Sequence, residues 1–142
     1  MTPEEKEVLA ATLRFYDGIE QVVSGKGARA VKEAWHHTPR VTSSHPTGQW
    51  AIGWEEVAAT WEVFASFGKE DCAGTKIRDV RVYLYGDIAY TTSVFVGAPA
   101  WGGTKLNCTN LLHRVDGVWK VIHHHPDRAP SMEASMEKSH TG

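Results

Sequence analysis

Residues 109–125 read TNLLHRVDGVWKVIHHH, and this stretch decides the fold. Asp116-Gly117 between two runs of alternating apolar residues reads as a type I′ hairpin turn, whose two central positions need positive φ. A two-residue turn fixes the pairing outward from it. Val115 meets Val118, Arg114 meets Trp119, Leu112 meets Val121, Asn110 meets His123 and Cys108 meets His125. Side chains alternate along a strand, so these residues share one face. Thr109, Leu111, His113, Lys120, Ile122 and His124 share the other. The first face is the more apolar and is predicted to look inward, with Asn110, His123 and His125 on it. The second suits solvent or a subunit contact.

The period of two extends upstream of this hairpin. Ile77 to Tyr85 and Ile88 to Val96 alternate around a tight turn at Gly86-Asp87, and Lys105 to Val115 forms the strand that enters the Asp116-Gly117 turn. Before Thr75 the period is helical. Thr2-Pro3-Glu4-Glu5 carries an N-cap, a proline at the first helical position and a capping-box glutamate. Val8, Thr12, Phe15, Ile19 and Val22 then recur at spacings of four and three, and Leu9, Leu13 and Tyr16 widen that stripe. Ala28 to Trp35 reads as a short second helix. A third follows Gly53, with Val57, Trp61 and Phe64 on one side and Gly68 as its stop. Val41 to Ser44 and Trp50 to Ile52 read as short strands around a His45-Pro46-Thr47-Gly48 turn. The predicted class is α+β: three N-terminal helices packed against a curved antiparallel sheet that forms a cone. Residues 1–127 make one domain, and 128–142 lack any period and read as a C-terminal tail.

The composition narrows the function. The 142 residues carry 15 basic and 17 acidic side chains, which argues against nucleic acid as a partner because phosphate binding needs a basic face. No apolar run reaches the length of a membrane span, and the charged N-terminus is unlike a signal peptide, so a cytoplasmic location is expected. Two cysteines, Cys72 and Cys108, give neither a disulfide framework nor metal-ligand spacing. Strand alternation separates His124 from His123 and His125, so no metal site is expected, nor any cofactor. Six Trp and eight His suit a chain that lines a concave, partly apolar space.

The hairpin, with its Asp-Gly turn, a Trp two residues on and a closing His-x-His, resembles the C-terminal hairpin of the nuclear transport factor 2-like superfamily. It is most similar to the SnoaL-like branch and to the association domain of calcium/calmodulin-dependent protein kinase II. Gly48 to Trp54 and Gly86-Asp87-Ile88-Ala89 fit the same branch. The resemblance covers about residues 3–127. It implies a cone with a pocket between sheet and helices, in a dimer or larger assembly. Association domains of such kinases carry Arg where this chain has Asn110, and Ser where it has Pro126-Asp127. The superfamily hosts isomerases, dehydratases, cyclases, hydrolases and non-catalytic assembly domains, so fold alone does not select among them.

The candidate catalytic residues are His123, His125 and Asn110. An inward-facing histidine with a pKa lowered by partial burial is neutral at pH 7 and can act as a general base. The competing reading is that these histidines only pack and hydrogen-bond at the rim. Tyr16, Trp35, His45, Trp50, Trp61, Ser93, Leu112, Trp119 and Val121 are expected to line the pocket. Trp119 is further expected to cover the guanidinium of Arg114. Two functions follow. One is a cofactor-independent isomerase, dehydratase or cyclase acting on a small hydrophobic carbonyl compound, with Asn110 or Tyr16 steadying the enolate oxygen. The other is a non-catalytic module for small-ligand binding or self-association. A homodimer through the Leu111, His113, Ile122 and His124 face is expected in either case.

Overall fold

The computed structural model describes residues 1–45 and 48–127. The expected tail, and Pro46-Thr47 of the expected turn, lie outside the described residues. Helix α1 (Pro3–Val23) opens on the expected capping box, with Thr2 Oγ1 accepting from the Glu5 amide and the Glu5 carboxylate accepting from the Thr2 amide. Its stripe of Val8, Thr12, Phe15, Tyr16, Ile19 and Val22 is buried. Leu13, expected to widen the stripe, is instead exposed, because the helix presents less than half its circumference to the sheet. Helix α2 spans only Arg29–Glu33. The chain then leaves the helix so that the backbone of Ala34 and His36 can bond Val121 in the sheet. Helix α3 (Trp54–Ser66) buries Val57 and Trp61.

Helices α1 and α2 cross closely. A Cβ at Gly18 would come within 2.6 Å of the Val31 backbone, which cannot yield as a side-chain tip could. Gly18→Ala is therefore expected to destabilise the fold by about 1–3 kcal/mol, despite alanine's better helix propensity. Urea unfolding would read this as a lower midpoint at unchanged slope; an unchanged midpoint would show that the helices can move apart freely.

Strands β1 (Thr42–Ser44), β2 (Trp50–Ile52), β3 (Lys76–Tyr85), β4 (Ile88–Val96), β5 (Lys105–Val115) and β6 (Val118–Pro126) form one curved sheet in the order β2-β1-β6-β5-β4-β3. The meander β3 to β6 is antiparallel as expected. The first strand adds a parallel pairing to β6, Thr42 with His123 and Ser43 with His124, so the sheet is mixed. Asp116 and Gly117 take positive φ of 53° and 78°, as the turn requires. Arg114 lies 5.4 Å from the Trp119 ring centroid and also binds Asp87.

The pairing predicted from that turn holds only as far as Leu112 with Val121. Ile122 is then passed over: Leu111 pairs with His123, Asn110 with His124, Thr109 with His125 and Cys108 with Pro126. An extra residue in one strand is a β-bulge, and beyond it every side chain of β6 changes face. His123 and His125 therefore look outward and His124 looks inward, the reverse of the expectation. The cause is on the far side of β6. Val121 is bonded there by Ala34 and His36, whereas His123 and His124 pair with β1. Ile122 lies at the join between these two partners.

Candidate functional site

Phe15 of α1 packs against Tyr16, Trp35, Trp61 and His124, with ring centroids 4.9–5.9 Å apart. Beside this aromatic cluster lies a cavity of about 70 Å³ between α1, α3 and the inner faces of β4, β5 and β6. Tyr16, His45, Trp61, Phe95, Cys108 and His124 are on its wall. A single water needs roughly 10–15 Å³ by the same measure, so the space accepts the reacting end of a small organic molecule. A wider groove of about 400 Å³ between α1, α2 and β6 is lined by Arg14, Asp17, Glu33 and Lys120. Those groups are surface charges, and no buried titratable side chain faces them there.

A buried polar chain runs beneath the cavity. Ser93 Oγ and Tyr16 Oη are 3.1 Å apart, and Asn110 Nδ2 donates to Tyr16 Oη at 2.8 Å and to Thr91 Oγ1 at 3.5 Å. Asn110 Oδ1 is left to accept from His124 Nδ1–H at 2.5 Å. Asn110 is wholly buried and both ends of its amide are occupied. This arrangement fixes His124 as the Nδ1–H tautomer, because the amide oxygen can only accept. Its Nε2 then carries a lone pair, and no described residue bonds it. Burial holds the His124 pKa well below the ordinary imidazole value, with the neighbouring imidazoles, His45 first among them, adding to the effect. Burial likewise lowers His45 to about 4 and raises the Cys108 thiol to about 11. The Tyr16 phenol is pushed up by desolvation. Every titratable group of the cavity wall is uncharged at pH 7.

Three expected pocket residues, Tyr16, His45 and Trp61, reach the cavity. Ser93 supports it through Tyr16. Trp35, Leu112 and Val121 belong to the core behind it, and Trp119 is buried beside the α1–α2 groove. Trp50 is 55% exposed and stands against His123 and His125 on the outer face, because β2 is an edge strand that turns Ala51 inward and Trp50 and Ile52 outward. His123 is half-buried there, with Nδ1 2.7 Å from Thr42 Oγ1; its pKa is lowered by desolvation and by His125. Asn110 is placed inward as expected, but it holds another side chain rather than a ligand. His124 is the residue the sequence reading missed. Phe95 and Cys108 of the wall were legible from alternation, since they share a face with Ser93 and Asn110.

Among the described residues no cluster of three His, Cys, Asp or Glu side chains could hold a metal ion, and no helix is long and apolar enough to cross a membrane.

The chain is similar to several known proteins. It is 25% identical over 105 residues to the F-box protein SKIP8 of Arabidopsis thaliana, covering 73% of this chain and 43% of that protein. It thus spans less than half the length of that curated relative. Among solved structures, the CaMKII hub of S. rosetta matches with a TM-score of 0.66 at 21% identity, over 91% of this chain and 98% of the hub. A proposed dehydratase of the NTF2-like family from Streptomyces avermitilis matches with a TM-score of 0.68 at 22% identity, over 90% and 99%. A proposed ketosteroid isomerase from Parabacteroides distasonis matches at 0.62 and 17% identity, over 80% and 84%. At these identities the likeness speaks for the fold. The SnoaL-like domain model matches residues 13–126, which span the cavity wall, the second half of α1, the other two helices and the whole sheet, and the chain therefore belongs to the SnoaL-like family of the NTF2-like fold.

Proposed function

We propose that the chain binds a small, mostly apolar carbonyl compound in the cavity beside α1 and moves a proton on it, with His124 Nε2 as general base. The observation that carries this reading is the His124 imidazole on the cavity wall, its ring held through Nδ1 by Asn110 so that Nε2 keeps its lone pair. A base must be unprotonated and oriented to take a proton from carbon; burial supplies the first condition and the Asn110–Tyr16–Ser93 chain the second. On a β,γ-unsaturated carbonyl compound the proton leaves the carbon between the carbonyl and the double bond for Nε2, and its electron pair moves toward the carbonyl oxygen to give a dienolate. The imidazolium so formed keeps its Nδ1–H bond to Asn110 Oδ1, then returns the proton to the γ-carbon of the dienolate. The net change is migration of one double bond, with no cofactor needed. His123 and His125 take no part in this step; their role lies on the outer face.

A simple probe tests the reading. Cyclohex-3-enone should be converted to cyclohex-2-enone, with deuterium entering from heavy water. Binding of the enone with no conversion and no deuterium uptake would leave a non-catalytic ligand-binding module in place of an enzyme.

The outer sheet face favours self-association as a second property. Ile52 and Tyr85 are 62% and 68% exposed there. Tyr83 and Tyr90 stack at 4.6 Å across the strands, with Tyr85 alongside. Leu111 and His113 remain from the expected contact face, with His123 and His125 replacing His124, whereas Ile122 packs against the core. A sheet face may be wetted, but large exposed apolar and aromatic side chains at both edges of one face, Ile52 on β2 and the tyrosines on β3 and β4, fit a surface that is covered by a second copy. We infer a homodimer through this face. Light scattering should give twice the chain mass at micromolar concentration, and Tyr85→Lys with Ile52→Lys should return it to one. A monomer at high micromolar wild-type concentration would overturn this.

A further inference from the structure

Among the described residues, four buried side-chain polar atoms have no hydrogen-bond partner: Nε1 of Trp35, Trp61 and Trp119, and Nε2 of His45. Two of the four sit on rings that share the wall of the His124 cavity and touch each other. Trp61 and His45 meet edge to face with centroids 5.2 Å apart, and Trp61 also neighbours the His124 ring at 6.3 Å. Both side chains are more than nine-tenths buried, His45 at 2% and Trp61 at 4% exposure. Bulk water therefore cannot satisfy them, and a buried donor left unmade carries the full cost of its desolvation. An indole N–H can only donate. The wall around these rings is otherwise Phe64, Ile19, Val22 and further apolar groups together with Tyr16, Cys108 and His124, none of which bonds either nitrogen, so both are open to an acceptor on a ligand in the cavity.

We infer that Trp61 Nε1–H and His45 Nε2–H are the pair of donors that receives the ligand's carbonyl oxygen. The inference rests on the proton-transfer reading above and completes it, because Asn110 and Tyr16, the donors expected from the sequence, are bonded to each other and to their neighbours. The neutral state of His45 fits the role. An uncharged imidazole with hydrogen on Nε2 donates without carrying a charge into an apolar site, and burial disfavours the imidazolium. As the α-proton moves to His124 Nε2, charge grows on the carbonyl oxygen, and two fixed N–H groups stabilise it where water is excluded. The ligand class narrows accordingly: one carbonyl oxygen on a small apolar frame, without a carboxylate or phosphate, since no cation lines this cavity.

The test uses the whole chain and cyclohex-2-enone as probe. On wild-type protein, titration with the probe should move the Trp61 indole N–H proton resonance downfield and lower the bound carbonyl stretching frequency. Nitrogen NMR should find His45 carrying its proton on Nε2. Trp61→Phe and His45→Phe, each checked for folding by its melting transition, should weaken probe binding about tenfold apiece and return the carbonyl stretch toward its free value. His124→Gln should keep the carbonyl shift while deuterium uptake is lost. Wild-type exchange lost in the His124 variant but retained by both others would overturn this inference and leave the proposed function standing. A shifted carbonyl with no exchange in any protein would do the opposite. His45 found with its proton on Nδ1, or no binding of the probe at millimolar concentration, would also overturn the inference.

Discussion

His124→Gln is expected to lower the conversion of cyclohex-3-enone by roughly 10²–10⁴-fold, the range over which a positioned general base contributes. Glutamine approximates the reach of the imidazole and can still meet Asn110, so the cavity should keep its shape while losing the basic nitrogen that Asn110 orients. The loss should therefore fall on kcat, with KM little changed. Asn110→Leu is the companion variant. It leaves His124 in place but removes the acceptor that fixes the tautomer, and it takes away one of the two partners of the Tyr16 hydroxyl, so activity and stability should fall together. His123→Gln and His125→Gln should leave the rate at the wild-type value, because the bulge at Ile122 turns both outward. A rate that depends on His123 or His125 but tolerates His124→Gln would remove the basis of the proposed mechanism.

The second large effect is a loss of stability in mild acid. His45 and His124 are buried as neutral rings, with pKa values lowered to about 4 and well below 6.5 respectively. In the unfolded chain both titrate near 6.5. Below that pH the unfolded chain binds protons that the folded one refuses, so stability is complete above about pH 6.5 and declines as the pH falls. A ring that stays neutral across that window contributes about 1.4 kcal/mol per pH unit. For His45 this amounts to about 2 kcal/mol between pH 6.5 and 5, and His124 adds to the loss in the same direction, together a sizeable part of an ordinary domain's stability. Urea midpoints measured from pH 7.5 to 5 should show this slope, and His45→Phe should roughly halve it. A midpoint that stays level to pH 5 would mean that both rings accept a proton in place.

The helical half of the molecule was legible because its signals are local. The Thr2–Glu5 capping box, the four-three spacing of Val8 to Val22 and the Gly53 and Gly68 boundaries of α3 each involve residues within a turn or two of one another. The meander was legible for the same reason: alternation names the strands, and Asp116-Gly117 sets the pairing beside it. Even Tyr16, His45 and Trp61 could be placed at the cavity from their positions on these elements.

What the chain could not disclose locally is the partner on the other side of β6. The turn dictates register only until something else bonds the strand, and here two separate segments do, Ala34–His36 at Val121 and β1 at His123 and His124. Both are some eighty residues away in sequence, and accommodating both leaves Ile122 as one residue too many for β5. Among three consecutive histidines that single residue exchanges the outward ring for the inward one. Alternation alone puts one or two of these histidines on the inward face beside Asn110. Tertiary structure decided that the inward ring is His124, because the face a strand residue presents depends on counting from its last paired neighbour, and a long-range pairing resets the count.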